Sequence, residues 1–156
     1  MVSAAGARDL AALVGAETLA GRWGAAVRQA QEDRDAIARA RGQRDPRTTL
    51  DVPDLLPTAE ELLDRVISLA PTLHGLDGAL DPAALRLLEE RIARATGDAA
   101  RDGAGDASAR ARTMLEHQRA TLREFEERRD LLAKKMEKAL LALARLRYQA
   151  KRLRGL

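Results

Sequence analysis

The chain has 156 residues, a formal net charge of +3 and no cysteine, which suits one domain with a modest core and excludes disulfides, a cysteine-ligated zinc site and a thiol nucleophile. Aromatic residues are only 2% (Trp23, Phe125 and Tyr148), and alanine and leucine carry most of the apolar content, so the composition predicts an all-α protein. No run of about 18 apolar residues occurs, the first residues do not resemble a signal peptide, and a cysteine-free chain fits a reducing cytoplasm.

A first helix is expected over about 7–41, with Leu10, Leu13, Val14, Leu19, Trp23, Val27, Ala30 and Ile37 recurring at helical spacings. Gly15, Gly21 and Gly24 weaken it by roughly 1 kcal/mol each relative to alanine, so a bend or early break is foreseen there. Trp23 is expected to anchor this helix against the last one. Gly42 and Pro46 stop it, and 43–57, with Pro46, Pro53 and Pro57, reads as an extended linker.

The second helix, 58–76, opens on a capping box formed by Thr58 and Glu61. Its stripe of Leu62, Val66, Leu69, Leu73 and Leu76 continues across Pro71, which predicts a kinked helix instead of a stop. The third, 81–96, starts with Asp81 as cap and Pro82 in the first turn, buries Leu85, Leu88, Ile92 and Ala95, and ends at Gly97. A glycine- and aspartate-rich linker is expected over 97–106.

The fourth helix, 107–154, contains neither proline nor glycine. Taking Leu115 as position a of a heptad places Leu115, Leu122, Arg129, Met136, Leu143 and Ala150 at a. Position d then holds Gln118, Phe125, Leu132, Ala139, Leu146 and Leu153. Ten of these twelve are apolar, which is a coiled-coil seam. Such a helix is about 70 Å long, more than the shorter helices can cover. The expected architecture is an elongated antiparallel helical bundle, or coiled coil, with one long C-terminal helix as its spine. The distal seam (Leu132, Met136, Ala139, Leu143, Leu146, Ala150 and Leu153) is expected to face a protein partner or a second copy. Arg129, a polar residue on the seam, would fix register or partner number, or else snorkel to water along its stem.

Little in the chain suggests chemistry. His74 and His117 lack the glutamate three residues earlier that a bundle metal site uses, since Pro71 and Met114 stand there. Adjacent acids such as Glu60-Glu61, Glu89-Glu90 and Glu126-Glu127 point about 100° apart on a helix and form no dyad. Gly103-Ala104-Gly105 follows no strand and cradles no phosphate. No catalytic residue, cofactor or metal is therefore expected.

Charge is unevenly placed. Lys134 to Arg154 holds eight Lys/Arg against Glu137, a net of +7 that leaves −4 for the remainder. The patch Arg145, Arg147, Lys151, Arg152 and Arg154 reads first as a solvated helix flank. Second, it reads as a peripheral contact with anionic membrane or polyanion, with Leu143, Leu146, Leu153 and Tyr148 as the apolar side. Nucleic acid is disfavoured, because stacking aromatics are nearly absent.

Several segments in order carry a resemblance: Gly21-Arg22-Trp23 to Asp33-Arg34-Asp35-Ala36-Ile37, Val52-Pro53, Leu56-Pro57-Thr58, Leu62-Leu63-Asp64-Arg65-Val66 to Leu73-His74, and Leu80-Asp81-Pro82 to Leu87-Leu88-Glu89-Glu90-Arg91-Ile92. Gln118-Arg119, Glu127-Arg128-Arg129 and Leu153-Arg154 follow. Together they resemble the helical regions C-terminal to the catalytic domain of some bacterial serine/threonine protein kinases. The resemblance implies a non-catalytic appendage that positions or oligomerises signalling partners, with a protein kinase among them.

Overall fold

The computed structural model describes residues 9–43, 53–101 and 105–154, and all regular structure in them is helical. The helices are α1 (Leu10–Val14), α2 (Ala16–Ala20), α3 (Gly24–Gly42), α4 (Leu56–Ala79), α5 (Pro82–Arg101) and α6 (Asp106–Arg154). The start of the expected first helix at residues 7 and 8, linker residues 44–52 and 102–104, and the Arg154 side chain lie outside the described residues. The chain divides into two compact units, Met1–His74 with Leu132–Leu156, and Gly75–Leu131.

The expected first helix is three helices. Asp9 caps α1 through Oδ1, which accepts from the Ala12 amide at 3.3 Å. Gly15 then takes φ 88°, a left-handed conformation open to glycine, and serves as the end of α1 and the start of α2. Between α2 and α3 the chain turns so tightly that a Cβ on Gly24 would collide with the Leu19 carbonyl oxygen. A side chain at position 24 is thus excluded by the backbone, and helix propensity alone does not reveal it. Gly24→Ala is expected to destabilise the protein by about 2 kcal/mol, measured by urea unfolding, whereas Gly42→Ala meets open space.

α4 begins two residues earlier than expected. Asp54 Oδ1 accepts from the Leu56 amide at 3.1 Å, so Asp54 supplies the cap and Thr58 falls inside the helix. The helix passes through Pro71 and ends at Ala79. α5 starts as expected, with the Ala83 amide donating to Asp81 Oδ1 at 2.9 Å. It runs on through Gly97 to Arg101, because a glycine terminates a helix by turning to positive φ and Gly97 does not. α6 matches its expected span, beginning one residue earlier.

The core of the first unit joins three stripes of similar period. They are Trp23, Val27, Ala30 and Ile37 on α3, Ala59, Leu63, Val66, Ala70 and Leu73 on α4, and Met136, Ala139, Leu143 and Ala150 on α6. Alternating steps of three and four residues keep each stripe on one side of its helix. Burying each of the larger side chains contributes about 1.5–3 kcal/mol. Trp23 is buried as expected, and the Arg22 guanidinium lies 4.7 Å from its ring centroid.

Three approaches tie α3 and the turn before it to α4 and the segment that leads into it. A Cβ on Gly21 would lie 3.0 Å from His74 Nδ1, Arg34 donates to Glu60 at 3.0 Å, and Arg41 stands 3.3 Å from Asp54. Arg34 also donates to Asp35. The Asp35 bond foremost, then Glu60, raise the Arg34 pKa above its ordinary value against the opposing pull of burial.

In the second unit α5 lies against the proximal part of α6, where Arg119 donates to Glu89 at 3.4 Å. Leu88 and Ile92 are its buried side chains.

Candidate interaction site

The heptad register read from the sequence selects the residues that are buried on α6, but their cover is the chain itself. Met136, Ala139, Leu143 and Ala150 sit in the core of the first unit at 0–8% exposure, and Leu132 and Leu146 pack against that core. Leu153 is half-buried. Six of the seven residues assigned to a partner thus face α3 and α4 of their own molecule. The physical reason is stripe matching, since α3 and α4 present apolar rows at the spacing the seam requires.

Upstream the same seam is less enclosed. Leu115, Leu122 and Arg129 are half-buried, while Gln118 and Phe125 are exposed. Within the second unit Ala84, Leu87, Leu88 and Arg91 of α5 face Gln118, Thr121 and Leu122 of α6 across a groove of about 440 Å³. Leu87 on its rim is 45% exposed. Two helices close a stripe from one side only, so a hairpin of this kind leaves apolar surface at its open edge. Leu87 escaped the sequence reading because it lies next to Leu88, off the stripe. An apolar residue adjacent to a buried one was the available signal.

A larger hollow of about 680 Å³ runs along Asp106, Ala109, Arg110, Thr113, Met114 and His117. All six residues belong to one helix, and no nucleophile converges with a base there. Among the described residues no three His, Asp or Glu side chains stand together as a metal would need, and no helix is long and apolar enough to cross a membrane.

The basic patch divides. Arg145, Lys151 and Arg152 are exposed, whereas Arg147 turns inward and donates to Asp33 Oδ1 at 2.9 Å, with Glu32 at 3.9 Å. Asp33 is nearly fully buried, and its Oδ1 also accepts from Gln29 Nε2 at 2.9 Å. This knot ties α3 to α6 by a charge pair whose carboxylate is almost out of reach of water. Arg129 pairs with the neighbouring Asp130 at 3.1 Å. Leu143 and Leu146, expected to serve as the apolar side of a membrane contact, are enclosed in the core and beside it. Tyr148 is exposed, as is Leu141, which the sequence reading passed over because it lies opposite the seam.

Comparison with protein-family models, curated proteins and solved structures finds no match.

Proposed function

We propose that this chain is a non-catalytic helical module for protein–protein interaction and oligomerisation, with a second copy of itself docked in the α5/α6 groove. The groove is the observation that carries the reading, since it joins an apolar floor at Leu88 and Leu122 to the exposed rim residue Leu87. Its surroundings carry both charge signs, Arg91 and Arg119 with Glu89 and Glu90. An isologous dimer needs such a self-complementary patch. Two hairpins would enclose a four-helix core.

In the first unit we read α3 and α4 as an antiparallel pair of a coiled-coil-like bundle. The approaches of 21 to 74, 34 to 60 and 41 to 54 run from the turn before α3 to its end on one side, and from within α4 to the segment before it on the other, which supports this reading. The setting we propose is cytoplasmic, beside a bacterial serine/threonine kinase, and it is supported by the segments quoted above that resemble kinase-appended helical regions.

Sedimentation equilibrium tests the central point. The chain is expected to be dimeric at about 100 µM. Leu87→Glu should give a monomer with unchanged helical content, because Leu87 is already partly in water. A strictly monomeric parent chain would remove self-association, and a Leu87→Glu variant that still dimerised would remove the groove.

A further inference from the structure

We propose that the outward face of α6 in the first unit is a docking stripe for an anionic lipid surface. Lys134, Lys138, Leu141, Arg145, Tyr148 and Arg152 follow one another at steps of four and three residues, and every one is exposed. That spacing keeps them on one side of the helix, about 180° from the buried Leu143. Lys135 and Lys151, also exposed, flank the row. Glu137 is the single acid between Lys134 and Arg152.

Two observations separate this row from an ordinary solvated flank. Arg147, the cation that points inward, is consumed by Asp33 and Glu32, whereas none of the outward cations stands at ion-pair distance from a carboxylate among the described residues. Leu141 and Tyr148, one heptad apart and 55% and 64% exposed, place large apolar surface between the cations. A straight row about 27 Å long lets all its cations meet a flat anionic plane together. Leu141 would then reach below the headgroups, and Tyr148 would sit with its ring inward and its hydroxyl in water. The long lysine and arginine stems extend sideways to the phosphates while the backbone stays near the plane. A nucleic acid fits this face less well, because only one aromatic ring is offered for stacking. An acidic partner helix would require a continuous apolar seam, and here charged residues outnumber apolar ones.

Co-sedimentation of the full chain with phosphatidylcholine vesicles, alone or with about 30 mol % phosphatidylserine, tests the assignment. Binding is expected to the anionic vesicles at about 50 mM salt and to disappear at about 500 mM. Lys138→Gln with Arg145→Gln should weaken it roughly 30-fold, each cation contributing about five-fold. Leu141→Ser with Tyr148→Ser should weaken it roughly ten-fold by removing the inserted groups. All four positions are exposed, so melting temperatures should hold. The Leu87→Glu variant should bind vesicles as the parent does, which separates this stripe from the groove. Equal binding to neutral vesicles, or no loss in the charge variant, overturns the proposal. So does undiminished binding by the Leu141→Ser, Tyr148→Ser variant together with equal competition by heparin, which would mark a plain polyanion site.

Discussion

Leu143→Asp is expected to abolish the folded state of the first unit. Leu143 is fully buried within the shared core of α3, α4 and α6, where a carboxylate has neither water nor a cation of its own. Leu143→Ala at this site should cost about 3 kcal/mol through lost burial and the cavity left behind. For a chain of this size that lowers the melting temperature by about 10 °C. The aspartate adds the cost of an unpaired buried charge, for a total of at least about 5 kcal/mol, which reaches the range of a whole domain's stability. Leu141→Asp is the matched control, because Leu141 is 55% exposed and its change should stay within about 0.5 kcal/mol. Circular-dichroism melts of the two variants decide the matter. Equal melting temperatures would mean that the inward and outward faces of α6 are misassigned.

The second large effect concerns the knot of Asp33 and Arg147, and its two halves should respond unequally. Arg147→Ala leaves the Asp33 carboxylate, with its side chain 4% exposed, holding only Gln29, and should cost about 3 kcal/mol. Asp33→Ala leaves an arginine that is 28% exposed and able to swing into water, so its cost should be about 1–2 kcal/mol. Replacing both at once, Asp33→Leu with Arg147→Met, removes the desolvated charges together and should fall within about 1 kcal/mol of the parent. Chemical denaturation of the two alanine variants and of Asp33→Ala with Arg147→Ala, which closes the cycle, measures the coupling. Additive costs in the double alanine variant would show that the two side chains do not interact.

The all-α class and the span of α6 were legible because the last third of the chain has no helix breaker before Gly155. The start of α5 was legible for a similarly local reason, an aspartate cap followed by a proline in the first turn. The division of the first expected helix was only half legible. The glycines flagged positions where a break was cheap, but the approach of the Leu19 backbone that leaves no room for a Cβ at Gly24 depends on how two helices meet. Gly97 misled in the opposite sense, because its φ, and not its identity, decides whether a helix ends. The seam on α6 is legible as a row that leaves water, and its cover within the first unit is not. Periodicity reports that a row of side chains leaves water without reporting which molecule shields it. For Leu132 to Ala150 the answer lay in α3 and α4, whose own rows are interrupted on paper by Asp33 and Pro71. The groove beside Leu87 was not legible, since it depends on the placement of α5 against α6.

The discontinuity of the first unit sets the order in which the protein can form. Asp33 and Arg147 are 114 positions apart along the chain, and the rows on α3 and α4 gain their third side only when the final part of α6 has been made. During synthesis, Gly75–Leu131 is therefore complete before the unit it interrupts. Ala59, Leu63 and Val66 keep one side open until residues beyond Leu131 have been translated. Contacts of such long sequence separation are slow to form, and a nascent chain in this interval presents bare aliphatic rows to chaperones or to its neighbours.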